Sequence, residues 1–395
     1  MEFNFADRMS DLKGSAIRDI FKVIAQPDII SFAGGVPSPD TYPVDALNEI
    51  SQRLLVGNAA AYLNYGVTNG YPPLIEILKE RLTKQGVVKD SDEMMITTGG
   101  QQGIDLAAKS ILNKGDGLVC ENPSFIGALN SFRTYEAELF GVTLQNDGLD
   151  VDEFKKTIKE NKNIKIAYII PTFQNPGGVT TSLEKRKKIL EICKANGIII
   201  IEDNPYGELR FKGEDVPTIK SLDTDGDTVI YVGSLSKVLS PGMRIGFVVA
   251  NSKIIGKMEI LKQVNDVHTN QFAQALAYEW LKNYDFEEHL EKARLLYKHK
   301  CELMLKTMDE TFPEFVTYTR PEGGLFILCT INKEGIDSAE VVKACIDKKV
   351  AFVPGFTFMV DMTKTSNMFR LNYSTMSDEK IVEGIKILAG VLKTL

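Results

Sequence analysis

Between residues 116 and 250 the chain alternates short apolar runs with amphipathic stretches, a spacing that predicts a sheet covered by helices. Asp116 to Cys120, Ile164 to Ile170, Thr228 to Val232 and Gly246 to Ala250 read as strands. Gly197 to Ile201 places four isoleucines in a row, which fits a strand buried on both faces. Leu183 to Ala195 carries its apolar residues at Ile189, Leu190 and Cys193 among charges, a helical spacing stopped by Asn196-Gly197. Farther on the texture changes. A charged helical stretch from Asp285 to Glu310 leads into strand-like segments at Gly324 to Ile331 and Phe369 to Tyr373. Ser377 then caps a final helix, Asp378 to Lys393. Asp285 onward is expected to form a second, smaller α+β domain; pattern alone does not place Met1 to Tyr42.

The 395 residues suffice for two domains, and 44% hydrophobic with 25% charged residues is a globular composition. A net charge of −7 argues against nucleic acid as a partner, which needs a concentrated basic face. No apolar run approaches the roughly 20 residues that span a bilayer. Met1 to Ser10 does not read as a signal peptide, so the expected compartment is the cytosol. The five cysteines are scattered without a Cys-x-x-Cys pair and read as small buried hydrophobes. The three histidines lack metal-ligand spacing, so no metal is expected; His289 and His299, in a charged stretch, are expected to be solvated.

Five segments carry candidate chemistry. Gly233-Ser234-Leu235-Ser236-Lys237 follows the strand Thr228 to Val232, with Pro241-Gly242 and Arg244 beyond it. A lysine acting as an amine nucleophile needs a shielded pocket, and Ser234, Ser236 and Arg244 would suit a phosphate beside it. A surface lysine on a serine-rich loop fits the motif equally well. Asp203, in Ile201-Glu202-Asp203-Asn204-Pro205-Tyr206, stands at the C-terminal edge of the most apolar strand, where open α/β sheets bind ligands. It suits the pyridine nitrogen of pyridoxal phosphate, or simply starts a turn. Thr97-Thr98-Gly99-Gly100-Gln101-Gln102-Gly103 opens a helical pattern from Ile104 to Leu112 and offers backbone N–H groups to an anion, or is a plain helix entry. It matches neither the P-loop nor the dinucleotide fingerprint. Pro171-Thr172-Phe173-Gln174-Asn175-Pro176-Gly177-Gly178 again follows a strand. Arg370, alone in the apolar strand Phe369 to Tyr373, needs an anion, whether a neighbouring acid or a ligand carboxylate.

In this order the segments resemble the fold-type I pyridoxal-phosphate aminotransferases, over about Ile30 to Tyr373. Ser31-Phe32-Ala33-Gly34-Gly35-Val36-Pro37 and Leu63-Asn64-Tyr65-Gly66 resemble the opening motifs of the aminoadipate, kynurenine and multi-substrate subgroup. The resemblance implies a mostly parallel seven-stranded sheet covered by helices, in a large domain 43–284 with a small domain 285–395. Residues 1–42 are then an N-terminal arm over the active site. It further implies that Lys237 bonds the cofactor and serves as acid and base, while Asp203 pairs with the pyridinium nitrogen. Asn175 and Tyr206 would bond the ring hydroxyl, and Asn175 would also meet substrate. Phe125 would stack on the ring in place of the tyrosine of many relatives. Gly100, Gln101, Ser234 and Arg244 would cradle the phosphate, with Ser236 beside them. Tyr65 would reach the neighbouring subunit's phosphate, which implies a homodimer. Arg370 would clamp the substrate α-carboxylate near Gly35, and Arg18 would meet a distal carboxylate or else be a solvated helix residue.

The expected reaction moves an amino group from an amino acid to a 2-oxo acid, with 2-oxoglutarate the expected acceptor, in two half-reactions. Three rivals are weighed beside it. A lyase or decarboxylase on the same cofactor is poorly distinguished by motifs. A transcription-regulator sensor domain would need a DNA-binding domain, for which the roughly thirty residues before the homology are too few. A hydride-transfer enzyme lacks its glycine fingerprint.

Overall fold

The structure, a computed structural model, describes residues 3–9 and 28–395. After β1 (Ile30–Ser31), eight strands form the main sheet: β2 (Asp92–Thr98), β3 (Gly117–Asn122), β4 (Glu138–Gln145), β5 (Gly148–Leu149), β6 (Ile164–Ile169), β7 (Ile199–Asp203), β8 (Val229–Ser234) and β9 (Ile245–Asn251). Their order is β2-β9-β8-β7-β6-β3-β4-β5. The five strands from β8 to β4 run parallel; β9 runs against both its neighbours, and the two-residue β5 against β4. Seven full strands are thus present, with β5 as a short eighth.

Burial on both faces explains the apolar runs. Along β6, Ile166 and Tyr168 face one core cluster while Ala167 and Ile169 face another. Each isoleucine so enclosed contributes roughly 2 kcal/mol relative to exposure. The helix Leu183–Asn196 starts on a Ser182 cap and ends where Gly197 takes a left-handed φ of 64°. Strand β7 therefore starts at Ile199, two residues later than its apolar run.

Four strands build a second sheet: β10 (Val316–Tyr318), β11 (Phe326–Ile331), β13 (Val353–Pro354) and β14 (Met368–Asn372), in the order β10-β11-β14-β13 and all antiparallel. The helices Phe286–Thr311 and Asp378–Leu392, capped by Asp285 and Ser377, pack on each other beside it. β1 pairs in parallel with β12 (Val350–Ala351), which draws residues 30–36 across this second sheet. All five cysteines are buried. His299 is exposed, but His289 is not solvated as expected: its ring packs against Trp280 at 4.8 Å and bonds a loop carbonyl.

Topology places the functional loops together. β2, β3, β6, β7 and β8 all point the same way, so their C-terminal ends share one edge with the start of the reversed β9. Every segment singled out on the main sheet leaves from that edge.

Candidate active site

Lys237 lies in the tight turn after β8, where Leu239 N donates to Leu235 O at 2.8 Å. A ring nitrogen of His289 donates to Val238 O at 2.7 Å and fixes the turn from behind. The Lys237 amine donates to the Gly35 carbonyl at 2.7 Å. Burial, then the charges of Arg370 and Arg244, bring the ammonium down to about 8, against the opposing pull of Asp203.

Asp203 ends β7 almost fully buried, and the Tyr168 hydroxyl on neighbouring β6 donates to its Oδ2 at 2.7 Å. Burial raises this carboxyl to about 6, although Tyr168 and Lys237 both favour its charge. On β14, Arg370 donates to Asn175 Oδ1 and to the Ala33 carbonyl, both at 2.8 Å. Its guanidinium lies 4.1 Å from the centre of the Phe326 ring and 5.0 Å from that of Phe358. Tyr206 lies almost fully buried in the same cavity as Asn175, and burial raises its phenol against the pull of Arg370. Burial lowers Arg370 to about 10, still a cation at neutral pH, and its Nε has no partner among the described residues.

The far end of the cavity is built for an anion. The helix Gly100–Ile111 begins without a side-chain cap, leaving its first N–H groups available. Gly99 takes φ 76°, a left-handed backbone that favours glycine, and a Cβ there would lie 2.2 Å from Arg244 Nη2 and push the guanidinium aside. Arg244, itself at φ 55°, donates to Thr98 O at 3.2 Å and to Ser236 Oγ at 3.4 Å. Ser234 Oγ accepts from Ser236 N at 3.1 Å. Phe125 and Gln101 close this side, the Gln101 amide donating to Gly127 O at 3.0 Å.

One cavity is lined by Gly35, Gly100, Gln101, Phe125, Asn175, Asp203, Tyr206, Ser234, Ser236, Lys237, Arg244 and Arg370. Tyr65 stands apart, 85% exposed and edge-on to His268 at 5.8 Å. Arg18 lies outside the described residues. Among the described residues no group of three or more His, Cys, Asp or Glu offers a metal site, and no helix is long and apolar enough to cross a membrane.

The donor set fits a phosphorylated pyridine aldehyde: an amine of depressed basicity, a buried acid, an uncapped helix start beside an arginine, and a guanidinium with a free donor. The sequence profile of aminotransferase class I and II matches residues 27–388. The chain belongs to this family. It is 41% identical over 394 residues to aromatic-amino-acid aminotransferase 1 of Thermococcus litoralis, covering 98% of this chain and 94% of that one. The kynurenine aminotransferase of Pyrococcus horikoshii, solved with PMP, superposes with a TM-score of 0.95 at 39% identity, covering 99% of this chain and 97% of that one. The α-aminoadipate aminotransferase of Thermus thermophilus, complexed with N-(5'-phosphopyridoxyl)-L-leucine, gives a TM-score of 0.91 at 35% identity with the same coverage. This aminotransferase uses pyridoxal 5'-phosphate to transfer amino groups.

Several site groups of the aminotransferase went unread in its sequence. Tyr168 looked like one more apolar strand residue, and only its register against Asp203 exposes its role. Phe326 and Phe358 face the site from β11 and from the turn after β13. Glu121, one residue before the end of β3 and fully buried, accepts from Ile170 N at 3.1 Å; the expected strand stopped at Cys120, just short of it.

Proposed function

We propose that the chain is a broad-specificity aminotransferase acting on aromatic, branched-chain or aminoadipate-type donors, with 2-oxoglutarate as acceptor. Names of the relatives and the apolar side of the cavity, where Ile104, Ile126, Ile170 and Val353 stand, support the donor range. One observation carries the reading: the Lys237 amine, hydrogen-bonded to a neutral carbonyl, opens on the same cavity as the buried Asp203 and Arg370.

When bound, the cofactor supplies an aldehyde for amines and a ring that accepts the electron pair left by Cα–H cleavage. Lys237 would bond it, and its Nζ would then carry the Cα proton. Asp203 would keep the ring nitrogen protonated. Asn175 and Tyr206 would hold the ring hydroxyl, and Phe125 would pack on the ring. Gly100, Gln101, Ser234, Ser236 and Arg244 would hold the phosphate. Arg370 would fix the substrate carboxylate beside the Gly35 backbone. We further propose a homodimer in which Tyr65 meets the neighbouring subunit's phosphate; its exposure with that of Val56 and Val67 supports this. For Arg18 the proposal rests on the resemblance to aminoadipate-type enzymes: it would receive the distal carboxylate of acidic donors.

A donor panel run with and without 2-oxoglutarate tests the reaction. Donor loss that depends on the acceptor is expected; release of ammonia or carbon dioxide instead would make the enzyme a lyase or decarboxylase. Lys237→Ala is expected to lose the bound-cofactor absorbance and at least about 10⁴ of the turnover.

A further inference from the structure

Strand register brings two buried polar groups together across the middle of the main sheet. Tyr168 on β6 pairs with Ile201 on β7, so Asp203, two residues on, lies diagonally opposite on the same face. That diagonal is within reach of an aromatic side chain, and the hydroxyl closes on Asp203 Oδ2 at 2.7 Å. The Tyr168 ring is fully buried and meets Phe132 edge-on at 5.3 Å, so it has little room to turn away. Burial raises its phenol well above the ordinary tyrosine value, and it remains a donor.

Other groups bear on Asp203 from each neighbouring element. Lys237 approaches from the turn after β8 and favours the carboxylate. Glu121 comes from β3, but burial raises its carboxyl to about 8, so it is neutral at pH 7. Tyr206 and Tyr231, on the loop after β7 and on β8, are phenols that burial keeps protonated. Tyr168 is the group among them that donates a hydrogen bond to this carboxylate.

Resting on the cofactor reading above, we infer that Tyr168 is a positioning residue: its hydroxyl holds one oxygen of Asp203, keeps the carboxylate charged, and turns the other oxygen toward the ring nitrogen. The sign of its effect follows. Donation stabilises the charged form, so removing it raises the Asp203 pKa and leaves more of the acid protonated at any given pH.

Tyr168→Phe keeps the ring and removes only the hydroxyl. Full-length apoenzyme is titrated with pyridoxal phosphate across pH, following absorbance of the bound form. Below about pH 6 the Kd is expected to rise about tenfold, the typical worth of a hydrogen bond to a charge, and near pH 7 about twofold. The acid limb of the affinity curve should move up by about one pH unit, with the loss fading above pH 8. In an Asp203→Asn background the same substitution should add nothing, because the coupling is gone. A purely structural tyrosine would lower Tm and scale affinity equally at every pH; that result overturns the inference. Should the phenylalanine variant fold poorly, 3,5-difluorotyrosine at 168, a stronger donor, should move the limb to lower pH, and an unmoved limb is equally fatal. If wild-type apoenzyme takes up no cofactor, the site reading fails and this inference falls with it; normal uptake with superimposable curves condemns Tyr168 alone.

Discussion

Two lysines beside the main sheet, one fully buried and one partly, have opposite surroundings. Lys220, in the short helix Ile219–Leu222, is fully enclosed, and its amine donates to Asp92 Oδ1 at 2.9 Å and to Gly226 O at 3.2 Å. Lys237, after β8, donates to a single backbone carbonyl at Gly35. One ammonium has an anion at contact distance; the other is penalised first by burial and then by Arg370 and Arg244, which outweigh the pull of Asp203. A buried cation held for structure is neutralised by a partner, whereas an amine meant to react is denied one and its basicity falls. The contrast lies in the neighbours, since the side chains are identical.

The strongest way to break this contrast is to strip Lys220 of its anion. Asp92→Asn should cost about 3–5 kcal/mol, because an unpaired charge stays buried, and lower Tm by roughly 5 °C. Turnover per folded molecule at 25 °C should persist; if stability does not change, the pair is not holding the structure. At Lys237 the contrast can be read kinetically. The free amine grows with pH up to about 8, so the rate at which apoenzyme takes up pyridoxal phosphate should climb nearly tenfold per unit below that point and then level. A midpoint near the ordinary lysine value would show that the amine is not perturbed.

Glu121 supplies an acidic counterpart. Its carboxyl is raised to about 8 by burial, so the folded protein keeps a proton that the unfolded chain releases from about pH 4 upward. The stability it lends is full below about pH 4 and is lost as pH climbs to 8. Glu121→Gln should therefore gain a few degrees in Tm over wild type near pH 8 and almost nothing near pH 4. A margin constant with pH would mean that the carboxyl is ionised throughout. The smallest effect is expected from replacing both partners of the structural pair: Lys220→Met with Asp92→Leu should stay within about 1 kcal/mol of wild type or exceed it.

The parts of this site legible in the sequence share one trait: each sits within a few residues of an apolar run that could only be an interior strand. Asp203 ends β7, and Asn175 and Lys237 lie in the loops that leave β6 and β8, so the pattern that located the strands located them too. Partners that depend on packing between distant segments left no such trace. The pairing of Tyr168 with Asp203 requires the β6–β7 register, and the placing of Phe358 near Arg370 requires a turn that returns to the site. His289 was misread because a charged helix was assumed to be exposed all round; the face toward Trp280 and the Lys237 turn is covered. β2 was missed as well, since Met94-Met95-Ile96 lacks the β-branched density of its neighbours.

The segment from Ala33 to Gly35 works as a ruler. Its two carbonyls, two residues apart, receive the Arg370 guanidinium and the Lys237 amine, so a fixed length of backbone, at most about 7 Å, gauges the span between the reactive amine and the carboxylate anchor. Swapping a side chain there leaves the gauge intact. Adding or deleting one residue changes the measured length, and damage should follow the residue count rather than the chemistry of what is inserted.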